Sequence, residues 1–271
     1  MLHCWLHHAL ELAKEPGQFY SGARKIIRGR MLTFDEIEND LHLSDCGFTK
    51  SKLTMLVKGY VHEESIAVAA QLWERRKTQR KYGSVGFTCY NHFIKTDPNK
   101  KSKRASVMGP CIQAVTLTFL NDRTTAVDVF YRTTEFFKKF PADLIMIRDV
   151  LLPRFDFEGA PVSEMNFHFA NITCHPMYFV TLLPLLDDPI EELECIKRAD
   201  KYFYDWIVKW TARYLCDEYH RGIAKFSQAL RVQKDARSRL SPRRLRILAD
   251  YLRDNHPGYR GDYQDEDLQD V

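Results

Sequence analysis

The sequence predicts one α+β domain in which a largely antiparallel sheet is flanked by helices. Segments rich in Val, Thr, Phe and Tyr occupy the middle of the chain, and helical spacing dominates both ends. The chain has 271 residues, of which 45% are hydrophobic and 13% aromatic, enough for a sizeable core. We assign residues 1–190 to the core and residues 191–271 to a helical C-terminal region of the same domain, with an acidic tail.

Helices are expected before and after the sheet. Residues 2–14 have helical spacing that stops at Pro16-Gly17, and residues 52–80 form an amphipathic pattern with a basic end. The stretch "GARKIIRGRMLTFDEIENDLHL" has a mixed pattern and favours neither state. After Pro189 the pattern is helical again, and a further short helix is predicted to start at Ser241-Pro242.

Five segments have the composition and alternation of strands. They are "SVGFTCYNHFIK", "CIQAVTLTF", "AVDVFY", "MNFHFANIT" and "MYFVTLL". "LNDRTT" is predicted to be a tight turn between the second and third. "RTTEFFKKFPADLIMIRDVLL" is predicted to be a helix that Pro141 interrupts.

Composition excludes several classes of protein. A net charge of +4 is a mild excess, and a dedicated nucleic-acid binder would concentrate more positive charge. Seven cysteines without a CxxC pair indicate reduced thiols. We find no signal peptide or segment of membrane-spanning length, and therefore expect a cytoplasmic protein, in the host cytoplasm if it is viral. "HCWLHH" and "TCHP" lack the spacing of zinc sites, so no metal is expected.

Three stretches with reactive or polar residues follow one another in the middle of the chain. The first stretch begins at Pro110-Cys111, where a strand is predicted to start. The second contains Arg132, 21 positions after Cys111, and Asp143, 11 positions after Arg132. The third stretch is "NFHFANIT". In order and spacing, residues 80–180 resemble the superfamily of thymidylate synthases and pyrimidine hydroxymethylases, including the deoxycytidylate hydroxymethylases of phages.

The sequence also departs from this family. Ile112 stands where the family has a histidine after the cysteine, and the glutamine before the motif's arginine is absent. Asn166 and His168 replace the family's sugar-binding His and Tyr.

The resemblance implies a role for each of these residues. A thiolate at Cys111 would add to C6 of a pyrimidine, and the guanidinium of Arg132 would favour that thiolate and grip the substrate phosphate. Glu64, preferred weakly over Glu63, would organise water near C4 and C5, and Glu135 would face the folate. The remaining residues assigned to substrate binding are Thr133 for the phosphate, Asn166, His168 and Asn171 on the fourth motif, and Lys103 and Arg104 donated from a partner subunit.

Asp143 is the position that distinguishes substrates. Thymidylate synthases have Asn there, and the deoxycytidylate hydroxymethylases have Asp. A carboxylate accepts from the exocyclic amine of cytosine and disfavours the O4 acceptor of uracil. We therefore expect Cys111, Arg132 and Asp143 to converge on one cytosine ring.

The implied function is folate-dependent one-carbon transfer to C5 of a pyrimidine nucleotide by a homodimer. The expected reaction is hydroxymethylation of dCMP or CMP with 5,10-methylenetetrahydrofolate; methylation stays open. Such enzymes modify viral DNA, and a phage origin is consistent with this resemblance.

Plainer interpretations stay open beside these roles. Cys111 fits a small buried core residue, and Asp143 fits the N-cap of the helix that follows it. Glu63 and Glu64 fit a solvated helix start, and His168 fits a core histidine. The alternative function is a non-catalytic module of this fold that binds a nucleotide, a partner protein or, through its basic C-terminal region, nucleic acid.

Overall fold

The structure of the protein is a computed structural model, and it describes residues 1–20, 23–35, 40–42, 50–79, 83–89, 111–120, 123–215 and 242–256. The helices are α1 (Leu2–Lys14), α2 (Lys50–Tyr60), α3 (Glu63–Gln79), α4 (Phe140–Met146), α5 (Pro176–Phe179), α6 (Pro189–Ala199), α7 (Lys201–Leu215) and α8 (Pro242–Asn255). The strands are β1 (Gln18–Tyr20), β2 (Arg24–Phe34), β3 (Gly83–Thr88), β4 (Ile112–Phe119), β5 (Thr125–Glu135) and β6 (Val162–Cys174).

The strands form one mixed sheet in the order β1-β2-β6-β5-β4-β3. Neighbouring strands are antiparallel except β5 and β6, which are parallel and joined by a crossover that contains α4. The predicted α+β architecture, a largely antiparallel sheet flanked by helices, is therefore confirmed.

Side chains alternate between two faces of the central strands. Val129 pairs with Phe167 and both are buried; we call their side of the sheet the inner face. Phe130 pairs with His168 on the opposite side, the outer face, where Phe130 is 40% exposed. The core therefore lies against the inner face.

Helix α4 is anchored to the inner face by aromatic packing. The buried ring of Phe140 lies 5.1 Å from the ring of Phe167, 5.3 Å from Phe169 and 5.9 Å from Tyr131. Helix α2 packs against α4. These contacts hold the start of α4, and with it Asp143, close to the ends of β4 and β5.

The helical C-terminal region packs onto the core. Buried Lys25 of β2 donates to Asp200 Oδ2 at 3.0 Å, just before α7, and to the carbonyls of Ala13 and Glu15 at 2.8 Å each. Removing one partner of such a buried pair is costly.

Helix α6 begins where Asp188 accepts from two backbone N–H groups of its first turn, with Pro189 next.

Two predictions of secondary structure are wrong. "MYFVTLL" is not a strand, because it forms α5 and a 3₁₀ turn (Val180–Leu185). His175 caps this helix, with its Nδ1 accepting from Met177 N–H at 3.2 Å, and Pro176 occupies the first turn. A proline there favours a helix start, and this outweighs the strand-like composition that follows.

Pro141 does not interrupt a helix. Strand β5 extends to Glu135, and α4 begins at Phe140 with Pro141 in its first turn. Proline in that position removes no helical hydrogen bond. The undecided stretch after residue 22 contains β2, and the predicted turn after Leu120 is present, with Leu120 N–H donating to Thr124 O at 2.8 Å.

Candidate active site

Cys111 lies directly before β4 and is held by its backbone on two sides. Its N–H donates to the Tyr60 hydroxyl at 3.1 Å, and its carbonyl accepts from Arg132 N–H at 2.8 Å. A β-bulge between Ile112 and Ala114 ends the regular pairing there. The half-buried thiol is therefore positioned between the end of α2 and strand β5.

Asp143 is buried close to this cysteine. Its side chain is 3% exposed and lies in the first turn of α4, three residues after Phe140. The N-cap position of α4 is Lys139, so the capping interpretation of Asp143 is wrong.

Two tyrosines connect Asp143 with Cys111. Burial raises the pKa of the Tyr131 hydroxyl well above its usual value, with further contributions from Asp143, Tyr60 and Cys111. Burial likewise raises the pKa of Tyr60, followed by the charges of Asp143 and Cys111. The backbone agrees with this placement, because Tyr131 pairs with Ile112, the residue after Cys111, and its ring lies 5.9 Å from that of Phe140 at the start of α4. The thiol and the carboxylate therefore share the same two phenols as neighbours.

The Tyr60 hydroxyl is placed next to the Cys111 side chain by this backbone contact. Its oxygen already accepts the Cys111 N–H, so its own proton is available to the sulfur. A donor of this kind stabilises the negative charge of a thiolate.

Arg132 lies on the other face of the sheet. Its N–H bonds Cys111, but it follows Tyr131 in β5, and successive side chains of a strand point to opposite faces. Arg132 lines a groove of about 580 Å³ on the outer face, together with Arg30, Met31, Gln113, Phe130 and His168. The structure thus places Cys111 and Asp143 near the same two tyrosines and Arg132 on the opposite face of the sheet.

The residues of the fourth motif also lie away from the thiol pocket. Asn166 accepts from Thr33 Oγ1 at 2.8 Å, and His168 Nε2 lies 2.8 Å from Asp128 Oδ1 while its ring stacks on Phe130. Both are outer-face residues. Asn171 Nδ2 contacts the Arg132 carbonyl at 3.5 Å.

Thr133 and the two glutamates of α3 take other positions. Thr133 is half-buried and pairs with Asn171 across β5 and β6. Glu64 is exposed in the first turn of α3, and Glu63 forms an ion pair with Arg154 at 3.0 Å. Lys103 and Arg104 lie outside the described residues.

Glu135 was expected to face the folate. Its carboxylate is buried, and its oxygens accept the backbone N–H groups of Lys138 at 2.7 Å and His175 at 3.2 Å. Burial raises its pKa to about 7. Each oxygen accepts one backbone N–H inside the protein, so Glu135 holds the scaffold together here, and the contact with the folate stays a prediction.

Tyr60 and Tyr131 were missed by sequence reasoning. Tyr131 stands directly before Arg132, at the position where the family motif has a glutamine. This replacement was the feature of the sequence that could have indicated a role for Tyr131. Nothing in the sequence around Tyr60 marks it, because its contact with Cys111 spans 51 positions of the chain.

Metal and membrane features are absent from the described part of the chain. No group of three or more His, Cys, Asp or Glu side chains there is arranged to hold a metal ion. No helix among the described residues has the length and apolar character needed to cross a membrane.

Comparisons with known proteins find likeness in structure alone. The thymidylate synthase of phage T4 is 10% identical over 63% of this chain and 74% of its own, with a TM-score of 0.38. The thermostable thymidylate synthase A of Bacillus subtilis is 10% identical over 66% of this chain and 82% of its own, with a TM-score of 0.43. Both matches are thymidylate synthases. No family profile and no curated protein matches the sequence.

At 10% identity the likeness concerns the course of the chain, and the activities of those two enzymes do not pass to this protein through it.

Proposed function

We propose that this protein is a one-carbon transferase acting at C5 of a pyrimidine nucleotide, with a cytosine nucleotide as the preferred substrate. The observation that carries the proposal is the cluster in which Cys111 and the buried carboxylate of Asp143 have Tyr60 and Tyr131 as common neighbours. A nucleophile and a buried group able to recognise a ring edge are the two requirements of this chemistry.

Cys111 is the nucleophile. Its sulfur forms a bond to C6 of the ring, and the electron pair of the C5–C6 double bond moves to C5. The Tyr60 hydroxyl stabilises the thiolate before addition and again after its release. C5 would then bond to an electrophilic one-carbon unit, and the carrier of that unit would leave as C5 loses its proton. Water would add to the resulting exocyclic methylene group, and elimination of the thiolate from C6 would restore the C5–C6 double bond.

Asp143 selects the base. Its carboxylate accepts from the exocyclic amine of cytosine and repels the O4 of uracil. A buried charge left facing a second acceptor is costly, so the discrimination between the two bases is strong.

The one-carbon donor expected from the resemblance is 5,10-methylenetetrahydrofolate. Glu135 is the one residue proposed to face it. Hydroxymethylation of dCMP or CMP is the proposed reaction, with water completing the product.

The test measures exchange of the C5 hydrogen in D₂O, which requires addition at C6 and no donor. Wild type is expected to exchange dCMP or CMP faster than dUMP, and Cys111→Ser is expected to lose roughly 10³-fold or more of the rate. Absence of exchange on all three nucleotides by folded wild type would refute the proposal. Addition of methylenetetrahydrofolate then shows by product mass whether a hydroxymethyl or a methyl group is transferred.

A second copy of the chain is proposed to cover the outer face. Met31 is 58% exposed and Phe130 is 40% exposed there, and both border the groove that Arg132 lines. The contribution of Lys103 and Arg104 of the partner subunit to the phosphate site stays a prediction, because both lie outside the described residues. Sedimentation equilibrium should show a dimer that Phe130→Glu dissociates; a monomeric wild type at micromolar concentration contradicts it.

The alternative, a non-catalytic binding module, is favoured by one observation. Asn166 and His168 are engaged by Thr33 and Asp128 on the outer face, away from the thiol. A module of this kind would bind ligand equally well after Cys111→Ala and would show no exchange.

A further inference from the structure

The hydroxyl of Tyr131 is buried without a hydrogen-bond partner among the described residues. The residue is 3% exposed, and its oxygen is closed off from solvent. Buried hydroxyls are generally hydrogen-bonded, because an unpaired one loses its bonds to water and gains nothing in return. A phenylalanine would pack at this position without that loss.

The surroundings of this hydroxyl are those of the proposed substrate pocket. Tyr131 pairs with Ile112, the residue after Cys111. Its ring lies 5.9 Å from that of Phe140, three residues before Asp143 in α4. The negative charge of Asp143 opposes ionisation of the phenol, so Tyr131 keeps its proton and can serve as a donor. The pocket therefore presents an acceptor, Asp143, next to a donor, Tyr131.

This pattern matches one edge of cytosine. Cytosine presents an amine donor at position 4 beside an acceptor at N3, whereas uracil presents an acceptor at position 4 beside an N3–H donor. Against Asp143 and Tyr131, cytosine makes two favourable contacts. With uracil, the O4 acceptor would lie against the Asp143 carboxylate, which is also an acceptor. Its N3–H donor would require the Tyr131 hydroxyl to rotate and accept instead of donating.

Resting on the proposed function, we propose that Tyr131 is a specificity-determining residue, and that its hydroxyl donates to N3 of a cytosine whose amine is bound by Asp143. A sequestered water molecule is the other group that fits beside the hydroxyl, and the experiment distinguishes the two.

The experiment is calorimetric titration of dCMP and dUMP into wild type, Tyr131→Phe and a matched control. The control is Tyr204→Phe, because Tyr204 is also 3% exposed but bonds Tyr251 at 2.7 Å, within the helical region. Tyr131→Phe is expected to weaken dCMP about tenfold, the usual effect of one lost hydrogen bond, and to change dUMP less. Tyr204→Phe should leave both affinities unchanged.

Three results would overturn the inference. Unchanged dCMP affinity in Tyr131→Phe, with C5 exchange intact, assigns the hydroxyl to water and leaves the proposed function standing. Equal weakening of dCMP and dUMP removes the role in specificity. Absence of both binding and exchange in wild type removes the inference together with the proposed function.

Discussion

Two buried carboxylates lie eight positions apart in the chain, and their surroundings are opposite in kind. Glu135 is 8% exposed at the end of β5, and Asp143 is 3% exposed in the first turn of α4. Glu135 accepts backbone N–H groups from Lys138 and His175, which ties the turn after β5 to the end of β6. Asp143 faces two phenols and a thiol.

The difference shows that burial alone does not identify a functional acid. Backbone donors that fill the oxygens of Glu135 make it part of the scaffold, since backbone groups cannot leave to admit a ligand. Side-chain hydroxyls beside a reactive sulfur are groups that a substrate can meet. Each carboxylate therefore makes a separate prediction.

Of the two carboxylates, Asp143 is expected to show the larger effect on activity, in the variant Asp143→Asn. An amide can donate to O4 of uracil, so the preference for dCMP over dUMP should fall by about 10²-fold, as for a lost hydrogen bond to a charged group. The measurement is C5 exchange on both nucleotides, with urea unfolding to show that the variant is folded. An unchanged preference would place the base elsewhere.

Glu135→Gln is expected to change the pH dependence of stability while leaving base preference alone. The pKa of Glu135 rises from 4.5 to about 7 on folding, so the native state binds the proton more tightly than the unfolded state. The stabilisation of the folded state by the protonated acid is complete below pH 4.5 and is lost as the pH rises to 7. Over this range the free energy of unfolding should fall by about 2–3 kcal/mol.

The pH dependence of stability that comes from His175, close to Glu135, has the opposite sign. Burial lowers its pKa from 6.5 to about 4, so its contribution is lost as pH falls through that range. The readout is therefore the difference in free energy of unfolding between wild type and Glu135→Gln, because the His175 contribution is common to both. This difference should fall from pH 4.5 to 7; a difference independent of pH would contradict the assignment.

The smallest effect is expected from Tyr131→Phe without ligand. Because no described group bonds this hydroxyl, its removal should leave the free energy of unfolding unchanged or raise it by about 1 kcal/mol. Tyr204→Phe, which loses a hydrogen bond to Tyr251, should lower it by about 1 kcal/mol. Urea unfolding of both variants checks the contrast, and equal losses would mean that Tyr131 is bonded.

Much of the sheet was predictable from alternation. The segments that became β4, β5 and β6 have period two and β-branched or aromatic residues, and a sheet with one buried face selects that pattern. "MYFVTLL" has a similar composition but follows a capping histidine and a proline, and local helix-start geometry prevailed. The boundary between β5 and α4 was misplaced because "TEFFKK" suits either state.

The site was predictable only where it is local in sequence. Cys111 and Asp143 were proposed from motif order, and their joint role in one site stays a prediction that their common tyrosine neighbours support. Arg132 shows the limit of that reasoning: motif order placed it with Cys111, but one position along a strand changes the face on which a side chain lies.

Residue chemistry and periodicity, both properties of short stretches, determined the strands, the amphipathic helices and the candidate nucleophile. Only the tertiary structure decided that Tyr60 reaches Cys111 from α2, that Asp143 is buried beside Tyr131, and that Glu135 is closed by backbone donors. The physical reason is that these contacts depend on how α2 and α4 pack on the inner face, and packing between distant segments leaves no periodic signal in the sequence.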